Sequence, residues 1–369
     1  MDFCYTTRRR WIVGIGIAAS VVLAGCGGGG GGGGGGSSAG SNIDVTSANA
    51  VEINSSNAES ISRSAGNAGT SLGGSGVNQT QTLIGGVAVE SSGRRASLAE
   101  VSDFMMEWIY DHQQEMPTAV SGIDTSTYTC ADYGDVTLYV NGTQMSSYSN
   151  LQAGDSITAN FNDCTTSYSG TGGSGSLTVS GSISFSVGSA NGDPTQYSSE
   201  WDYSVTVSYD RWSITTTGSL LGDLDFYIDG SMTMAASYTP SASDLQYHVT
   251  GGPLVFNYGQ KHTGFGNVNI LYTLSNVTSG YTPGDAKDYS LDISSYDVAS
   301  DRINGKVSAK TTTPLTGNTG SYSGYPQSGV LVLSGANSTS ATMDASQCST
   351  TEYRLTVNSR PPRCVSWSG

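Results

Sequence analysis

The sequence "LTVSGSISFSV", residues 177–187, gives the clearest indication of the fold. Its apolar residues alternate with serine and threonine, which places them all on one face of an extended chain. Gly181 occupies one of the apolar positions in the middle. The apolar residues stay at odd-numbered positions on both sides of it, whereas a two-residue hairpin at Ser180 and Gly181 would move them to even-numbered positions. The stretch therefore predicts one long strand bent at an inward glycine, where the sheet coils or another backbone comes close.

The same pattern returns at two other places in the chain. "LDFYIDGSMTM", residues 224–234, carries Gly230 at the equivalent position, and "INGKVSA", residues 303–309, carries Gly305 in a shorter version. The three glycines are unequally spaced, which excludes a solenoid or a propeller. Asp-Gly and Asn-Gly pairs also favour hairpin turns, so a turn at Gly230 or Gly305 remains the alternative.

Alternation with a period of two continues through most of the chain after about Thr125. Such alternation is typical of antiparallel strands with one buried face and one wet face. It predicts an all-β fold, with a large antiparallel sheet or sandwich of ten to thirteen strands. The alternating apolar residues are Val136, Leu138 and Val140; Ile157, Ala159 and Phe161; Trp201, Tyr203, Val205, Val207 and Tyr209; Val268, Ile270, Tyr272 and Leu274; Tyr289, Leu291 and Ile293; and Tyr353, Leu355 and Val357.

One N-terminal amphipathic helix is predicted ahead of the strands, in "SLAEVSDFMMEWIYDHQQEMP", residues 97–117. Ser97 and Glu100 form a capping box, and Pro117 stands where the helix should have ended. The opposite face is acidic, which favours a helix packed on the sheet over a helix lying on a membrane. The apolar stripe consists of Leu98, Val101, Met105, Trp108, Ile109 and His112.

The chain before this helix has the composition of a linker. From Gly27 to about Arg95 it is rich in glycine, serine, asparagine and alanine, with scattered apolar residues and no period. Such a segment buries too little surface to offset its ordering entropy. We therefore expect residues 26–95 to form a flexible tether with a root-mean-square reach of roughly 45 Å, and residues 96–369 to form the folded unit.

The N-terminus resembles a bacterial lipoprotein signal. Arg8 to Arg10 precede an apolar run of residues 11–23, and Leu23-Ala24-Gly25-Cys26 is similar to the lipobox. The resemblance implies that residues 1–25 are a signal peptide, that Cys26 is lipidated, and that Gly27, in place of an aspartate, favours the outer membrane. "TRRRWI" also fits a twin-arginine export signal loosely.

The remaining cysteines predict disulfides. Cys4 lies in the signal and Cys26 in the lipobox, which leaves four cysteines in an exported chain. Four cysteines allow three connectivities, of which we expect pairing between nearest neighbours. No C-x-x-C occurs, so neither a thioredoxin-like site nor a zinc knuckle is indicated. The expected pairs are Cys130 with Cys164 and Cys348 with Cys364.

The composition restricts the partners. The formal net charge is −15 at pH 7, and only 12% of the residues are charged. A surface of this sign repels nucleic acid and anionic lipid head groups. We interpret the acidity as a source of solubility, and expect no nucleic-acid partner.

Catalytic motifs are absent from the sequence. It has no G-x-S-x-G elbow, no H-E-x-x-H and no P-loop. The three histidines, His112, His248 and His262, lie in no recognisable motif, and no nucleophile occupies a recognisable turn. We therefore predict no catalytic residue, no metal and no cofactor.

Two groups of residues, one of aspartates and one of aromatic residues, give weaker indications of a binding site. Asp223, Asp225 and Asp229 share one strand face and would suit Ca²⁺, although solvated carboxylates explain them as well. Aromatic residues can form a platform on which sugars stack, or can pair across strands. The tryptophans of the predicted sheet are Trp201, Trp212 and Trp367.

Together these patterns predict a non-catalytic, lipid-anchored lipoprotein of the cell envelope. Its β domain would make structural or adhesive contact with an envelope protein or a glycan. A glycan-binding β-sandwich is the alternative, and an anchored hydrolase is the third interpretation.

Overall fold

The computed structural model describes residues 45–73, 79–81, 88–92, 123–141, 151–170, 173–218, 224–258, 261–281, 285–301, 303–319 and 325–367. Within these ranges the chain forms the helix α1 and sixteen strands. Their bounds are α1 Ala58–Gly73, β1 Gln79–Gln81, β2 Ala88–Ser92, β3 Ile123–Thr129, β4 Tyr133–Asn141, β5 Ser156–Gly170, β6 Gly173–Asn191, β7 Trp201–Gly218, β8 Leu224–Thr239, β9 Asp244–Tyr258, β10 Lys261–Ser275, β11 Asp288–Ser300, β12 Gly305–Asn318, β13 Ser328–Ser334, β14 Ser340–Asp344, β15 Glu352–Val357 and β16 Arg363–Ser366.

Strands β3 to β16 form one 14-stranded sheet in which each strand pairs with its neighbours in sequence. All the pairs are antiparallel, and β1 pairs separately with β2. The all-β prediction is confirmed. In the described part of the chain, the strands of the predicted sheet or sandwich belong to one continuous sheet.

The sheet has an apolar face, here called the inner face, and a polar outer face. In β7, Trp201, Tyr203, Val205 and Val207 are at most 3% exposed, while the residues between them are exposed or half-buried. The residues predicted to alternate in the other strands are likewise buried, apart from Phe161, which is partly buried against the core. The period-two pattern therefore identified the inner face correctly.

Gly181 and Gly230 lie inside continuous strands, as predicted. β6 has 19 residues and β8 has 16. The φ angles are +86° at Gly181 and +111° at Gly230, and a Cβ atom there would lie 2.2 Å from the Arg211 oxygen and 2.1 Å from the Pro253 oxygen, respectively. Both positions need glycine because of its conformational freedom and because a neighbouring backbone comes close.

These two glycines belong to a line of bulges that crosses the sheet. The pairing register shifts at every strand pair from β4 to β13 except β9–β10, and most of the shifted strands carry a residue with positive φ. Bulges bend a strand and increase its twist, so a line of them bends the whole sheet. The positive-φ residues along this line are Gly134, Asp163, Gly181, Arg211, Gly230, Gly251, Asn267 and Gly329.

Gly305 behaves differently from the other two glycines. It opens β12 directly after a turn, and it pairs with Ser300 at the end of β11. Asn304, the residue before it, has a φ angle of 55°. The interpretation of Gly305 as a third mid-strand bend is wrong, because Gly305 is the first residue of β12 and the chain turns immediately before it, at Asn304.

The prediction of a flexible tether up to residue 95 is wrong for residues 45–66. Val45, Ile53, Ile61 and Ala65 are at most 1% exposed, and α1 contacts β9, β10, β11, β13 and β14. Composition did not reveal this segment, because most of the side chains that it buries are small and contribute little to an apolar period. Its order comes from tertiary contacts with strands hundreds of residues further along the chain.

Backbone hydrogen bonds attach the start of this segment to two hairpin turns. The Val51 nitrogen donates to the Lys306 oxygen (3.0 Å), and the Lys306 nitrogen donates to the Asn49 oxygen (2.9 Å). The Ala336 nitrogen in turn donates to the Val51 oxygen (2.8 Å). Residues 49–51 therefore extend the pairing at the ends of β12 and β13.

Hydroxyl groups of the inner face hold α1. The Tyr296 hydroxyl donates to the Ala65 oxygen, and the Ser62 hydroxyl lies 2.7 Å from the Tyr353 hydroxyl. Ser62 and both tyrosines are fully buried. Each of these buried polar groups has a partner, which is the condition for including such a helix in the core.

Several predicted features lie outside the described residues: the signal peptide, Cys26, the helix of residues 97–117 with His112, and the boundary at residue 95. Within the described ranges, no helix is long and apolar enough to cross a membrane.

Candidate contact surface and the predicted site residues

A row of small polar residues crosses the outer face from β4 to β11, and we call it the hydroxyl row. Each member is the direct cross-strand partner of the next. Neighbouring strands lie about 4.8 Å apart, so the seven steps span about 34 Å. The row consists of Asn141, Ser156, Ser186, Thr206, Thr233, Thr250, Asn269 and Ser295.

A second row runs beside the hydroxyl row, two residues along each strand. It is also uncharged, and all its members lie on the outer face. Tyr139, which is 39% exposed, contributes an aromatic ring to it. The second row consists of Thr125, Tyr139, Thr158, Ser184, Ser208 and Ser231.

The chemistry of these rows is that of a neutral hydrogen-bonding surface. Every hydroxyl and amide side chain can both donate and accept, and neighbours satisfy each other in part, as Thr206 and Thr233 do at 3.1 Å. Covering such groups does not require the desolvation of a charge. In a chain with a net charge of −15, the two rows form an uncharged surface of hydroxyl and amide groups.

The expected disulfides are present. Cys130 is bonded to Cys164 and Cys348 to Cys364. The first joins the residue after β3 to β5, and the second joins the turn before β15 to β16, so each staples a region near one edge of the sheet. Nearest-neighbour pairing is confirmed among the three possible connectivities.

Two of the histidines can be located, and each has a hydrogen-bond partner. His248 Nε2 lies 2.9 Å from Asn269 Oδ1, beside the hydroxyl row. His262 Nδ1 lies 3.1 Å from Asp301 Oδ2, which also accepts from the His262 backbone nitrogen at 2.8 Å. The two histidines occupy separate places, on β9 and at the start of β10.

The aspartates proposed as a calcium alternative are only partly described. Asp229 Oδ1 accepts from the Arg211 nitrogen at 3.2 Å, so this carboxylate satisfies a backbone donor at a bulge. Asp225 is paired with Thr215 in the sheet, and Asp223 lies outside the described residues. In the described ranges, no group of three or more histidine, cysteine, aspartate or glutamate residues is placed to hold a metal ion.

The three tryptophans are buried on the inner face and form no exposed platform. Trp201, Trp212 and Trp367 are 3%, 8% and 3% exposed. Trp201 stacks on Tyr203 with ring centroids 5.8 Å apart, and Trp367 lies 4.5 Å from Tyr353. Cross-strand and core packing is therefore what these rings do in the folded chain. Among the described residues, the large exposed aromatic rings are those of Tyr133 and Tyr139, both on β4.

Burial also raises the pKa values of two tyrosines. It raises the pKa of Tyr353 to about 12, although the Ser62 hydrogen bond opposes the shift. Burial raises the pKa of Tyr289 as well, and the Tyr289 ring covers Gly317 on β12. Both groups are neutral parts of the core.

Sequence reasoning missed the two outer rows as a possible site. The signal was available in part, because the polar positions of the alternating strands are mostly serine, threonine and asparagine in a chain with few charges. The register that aligns them into rows is a property of the folded sheet, since bulges shift it at six of the seven strand pairs between β4 and β11.

Comparisons of this chain with protein-family models, with curated proteins and with solved structures found no significant match.

Proposed function

We propose that the protein is a lipid-anchored lipoprotein of the outer membrane whose β domain makes non-catalytic structural or adhesive contact in the cell envelope. The lipobox-like Leu23-Ala24-Gly25-Cys26 supports the anchor. The observation that carries the contact function is the hydroxyl row, an uncharged surface about 34 Å long on the outer face.

The shape of this surface suits contact with an extended partner. A pocket for a small molecule is concave and mostly apolar, with a few polar groups. The hydroxyl row instead distributes small neutral groups across eight strands, so its hydrogen bonds are spread along a line. A polypeptide or a polysaccharide in the envelope offers a matching line of amides or hydroxyls.

A non-catalytic role agrees with the surroundings of the histidines. His248 is hydrogen-bonded to Asn269 on the outer face, and Asp301 both accepts a backbone bond from His262 and contacts its ring. A hydrolase would also need a nucleophile beside the ring. If a hydrolase substrate panel detects activity that His262→Gln abolishes while the fold is kept, the non-catalytic proposal is wrong.

Binding of a soluble form that lacks Cys26, residues 27–369, to an immobilised cell-envelope fraction tests the contact surface. Thr206→Lys and Thr233→Lys place a long charged side chain in the centre of the row, and should weaken saturable binding about tenfold or more, a loss of about 1.4 kcal/mol. Ser241→Lys, in the exposed turn between β8 and β9, is the matched control and should bind like the wild type. Equal binding by all four proteins would refute the proposal that the hydroxyl row is a contact surface.

Glycan binding is the second candidate, and Tyr139 is the observation that favours it. Its exposed ring lies between Thr125 and Thr158 in the second row, so a sugar stacked on it would meet hydroxyls on both sides. On a glycan array, Tyr139→Ala should remove any specific signal, while Tyr139→Phe should keep most of it. An array without any specific signal would favour a protein partner.

A further inference from the structure

The two disulfides differ in how far solvent reaches them. Cys130 and Cys164 are 7% and 2% exposed, so the first bond is buried. Cys364 is exposed and Cys348 is half-buried, so a reagent in solution can approach the second bond. Exchange with an external thiol requires access to one of the two sulfur atoms. Exposure therefore favours exchange at the bond between Cys348 and Cys364.

The position of β16 explains why Cys364 is exposed. Among the described residues, β16 is the last strand of the sheet and pairs with β15. Val365, the next residue after Cys364, is 5% exposed and lies on the inner face. Because successive side chains of a strand point to opposite faces, Cys364 lies on the outer face. The second bond is therefore held at the outer face of the terminal strand.

A guanidinium group lies on the same face, beside this bond. Arg354 on β15 is the direct cross-strand partner of Cys364, and the Cβ atoms of such partners are about 4.5–5.5 Å apart. Arg354 Nη2 donates to Asp344 Oδ2 at 2.8 Å, which holds the side chain in place, and 40% of this side chain stays exposed. A cation at this position attracts an anionic thiolate and also stabilises the thiolate that leaves.

The first bond has different charges near it in the chain. Asp163 directly precedes Cys164, and Asp132 follows Cys130 by two residues. The sequence contains no lysine or arginine between residues 96 and 210, so the strands that carry this bond contribute carboxylates alone. An anionic thiol is therefore repelled at the first bond, whereas both signs of charge surround the second. The charged residues of β14 to β16 and their turns are Asp344, Glu352, Arg354, Arg360 and Arg363.

We propose that the bond between Cys348 and Cys364 is a thiol-exchange site for an anionic thiol, which Arg354 attracts. The incoming thiolate attacks Cys364 Sγ and forms a new disulfide with it. The bond between the two cysteines breaks, and its electron pair leaves with Cys348 Sγ, which becomes a thiolate and takes up a proton from water. One disulfide replaces another, so the step needs no oxidant. The site does not depend on the proposed lipid anchor.

Other contacts keep β16 in place when the bond opens. The Trp367 nitrogen donates to the Thr351 oxygen at 3.0 Å, and the Trp367 ring lies 4.5 Å from that of Tyr353. Arg63 Nε on α1 donates to the Ser366 oxygen at 3.0 Å. The strand therefore stays attached to both the sheet and the helix, and exchange takes place in the folded protein.

Timed exchange followed by peptide mass spectrometry tests the site. The oxidised protein is incubated with mercaptoacetate, which is anionic, or with 2-mercaptoethanol, which is neutral, and is quenched at intervals. The bond between Cys348 and Cys364 should open about tenfold or more faster than that between Cys130 and Cys164, with the first mercaptoacetate adduct on Cys364. Far-ultraviolet circular dichroism should stay unchanged. Equal opening of both bonds, or loss of the sheet signal as the second bond opens, would overturn the proposal.

A charge variant separates electrostatic attraction from access. Arg354→Gln should lower the rate with mercaptoacetate about threefold, the order of effect expected of one surface charge, and leave the rate with 2-mercaptoethanol unchanged. Arg354→Lys should restore most of the rate. Lys310→Gln, at an exposed position on β12, four strands from β16, is the matched control and should react like the wild type. A rate that falls equally with both thiols in Arg354→Gln would overturn the role of the charge.

Discussion

At the scale of single residues, the line of bulges requires backbone conformations that few side chains tolerate. Gly181 and Gly230 are needed because their Cβ positions are occupied by neighbouring carbonyl oxygens. Asp163, Arg211 and Asn267 adopt positive φ angles without being glycine, and they continue the same line of bulges. The bend of the sheet is therefore specified at individual positions along one line.

Replacement of Gly230 by alanine should be strongly destabilising. A left-handed conformation costs a non-glycine residue about 1–2 kcal/mol, and the overlap with the Pro253 oxygen adds about 1–3 kcal/mol. Gly154→Ala is the matched control, because Gly154 also has a positive φ of +92° but has nothing within 4 Å of its Cβ position. Urea unfolding should show a larger loss of unfolding free energy for Gly230→Ala than for Gly154→Ala. Equal losses would mean that the close approach at Gly230 is not rigid.

The buried tyrosines predict loss of stability in alkali. Burial raises the pKa of Tyr353 to about 12 and also raises that of Tyr289, so the unfolded chain releases these protons near pH 10 while the folded chain keeps them. The stabilisation is therefore fully present below pH 10 and is lost as the pH rises through 12, by up to about 1.4 kcal/mol per pH unit for each group.

Urea midpoints measured between pH 9 and pH 12 test this prediction, with absorbance of tyrosinate followed in parallel. Tyr353→Phe should make the decline shallower, whereas Tyr139→Phe, at an exposed position, should leave it unchanged. Ionisation of every tyrosine near pH 10 in a chain that remains folded would contradict the assignment.

At the scale of elements, α1 is the part that connects the N-terminal region to the sheet. It is held by hydrogen bonds to the hydroxyls of Tyr296 and Tyr353 and by the burial of Ile61. Arg63 adds a bond to the Ser366 oxygen (3.0 Å) and an ion pair with Glu59, which also pairs with Arg363. The helix is thus joined to the last strand as well as to the middle of the sheet.

Hydrogen exchange followed by mass spectrometry should find peptides from residues 45–66 protected in the mature protein. The amides of Val51 and Ile61 are hydrogen-bonded in buried or half-buried positions, and such amides exchange only through local opening. Tyr296→Phe should lower this protection by removing a bond worth about 1 kcal/mol. Exchange of residues 45–66 at the rate of an unstructured chain would restore the original tether prediction.

Strands and helix differed in how far sequence could predict them. Residues 177–187 predicted a continuous strand with an inward glycine, because the alternation of apolar and polar residues can be read within the strand itself. The disulfide pairs were predicted from their proximity along the chain. Segment 45–66 was missed because Ala58, Ser62 and Ala65 give no strong apolar period, and their partners lie far away in sequence. The hydroxyl row was missed because a row exists only after the register is set.

The two disulfides should contribute unequally to the free energy of unfolding. The bond between Cys130 and Cys164 spans 34 residues and the bond between Cys348 and Cys364 spans 16. The loop-entropy model gives about 4 and about 3 kcal/mol, respectively. Paired cysteine-to-alanine variants should therefore lower the free energy of unfolding more for the first pair in urea titrations. The reverse order would show that native-state effects outweigh the loop length.

At the scale of the whole molecule, strands β3 to β16 form one bent sheet with two uncharged rows on its outer face, and we propose that Cys26 anchors it to a membrane. The sheet packs large rings inside and small hydroxyls outside, and these sides were distinguished by the sequence alternation. The proposed contact function belongs to the outer side. Under the proposed anchor, Cys26 determines where this surface is held.

The modification of Cys26 is the measurement that tests this central proposal most directly. Mass spectrometry of the N-terminal peptide from membranes should show a chain that begins at Cys26 and carries a diacylglycerol thioether. Cys26→Ser should leave the chain unprocessed or release it from the membrane fraction, while Cys4→Ser, within the signal, should be processed normally. An unmodified Cys26, or a Cys26→Ser chain that is processed and still held in the membrane, would contradict the lipoprotein proposal.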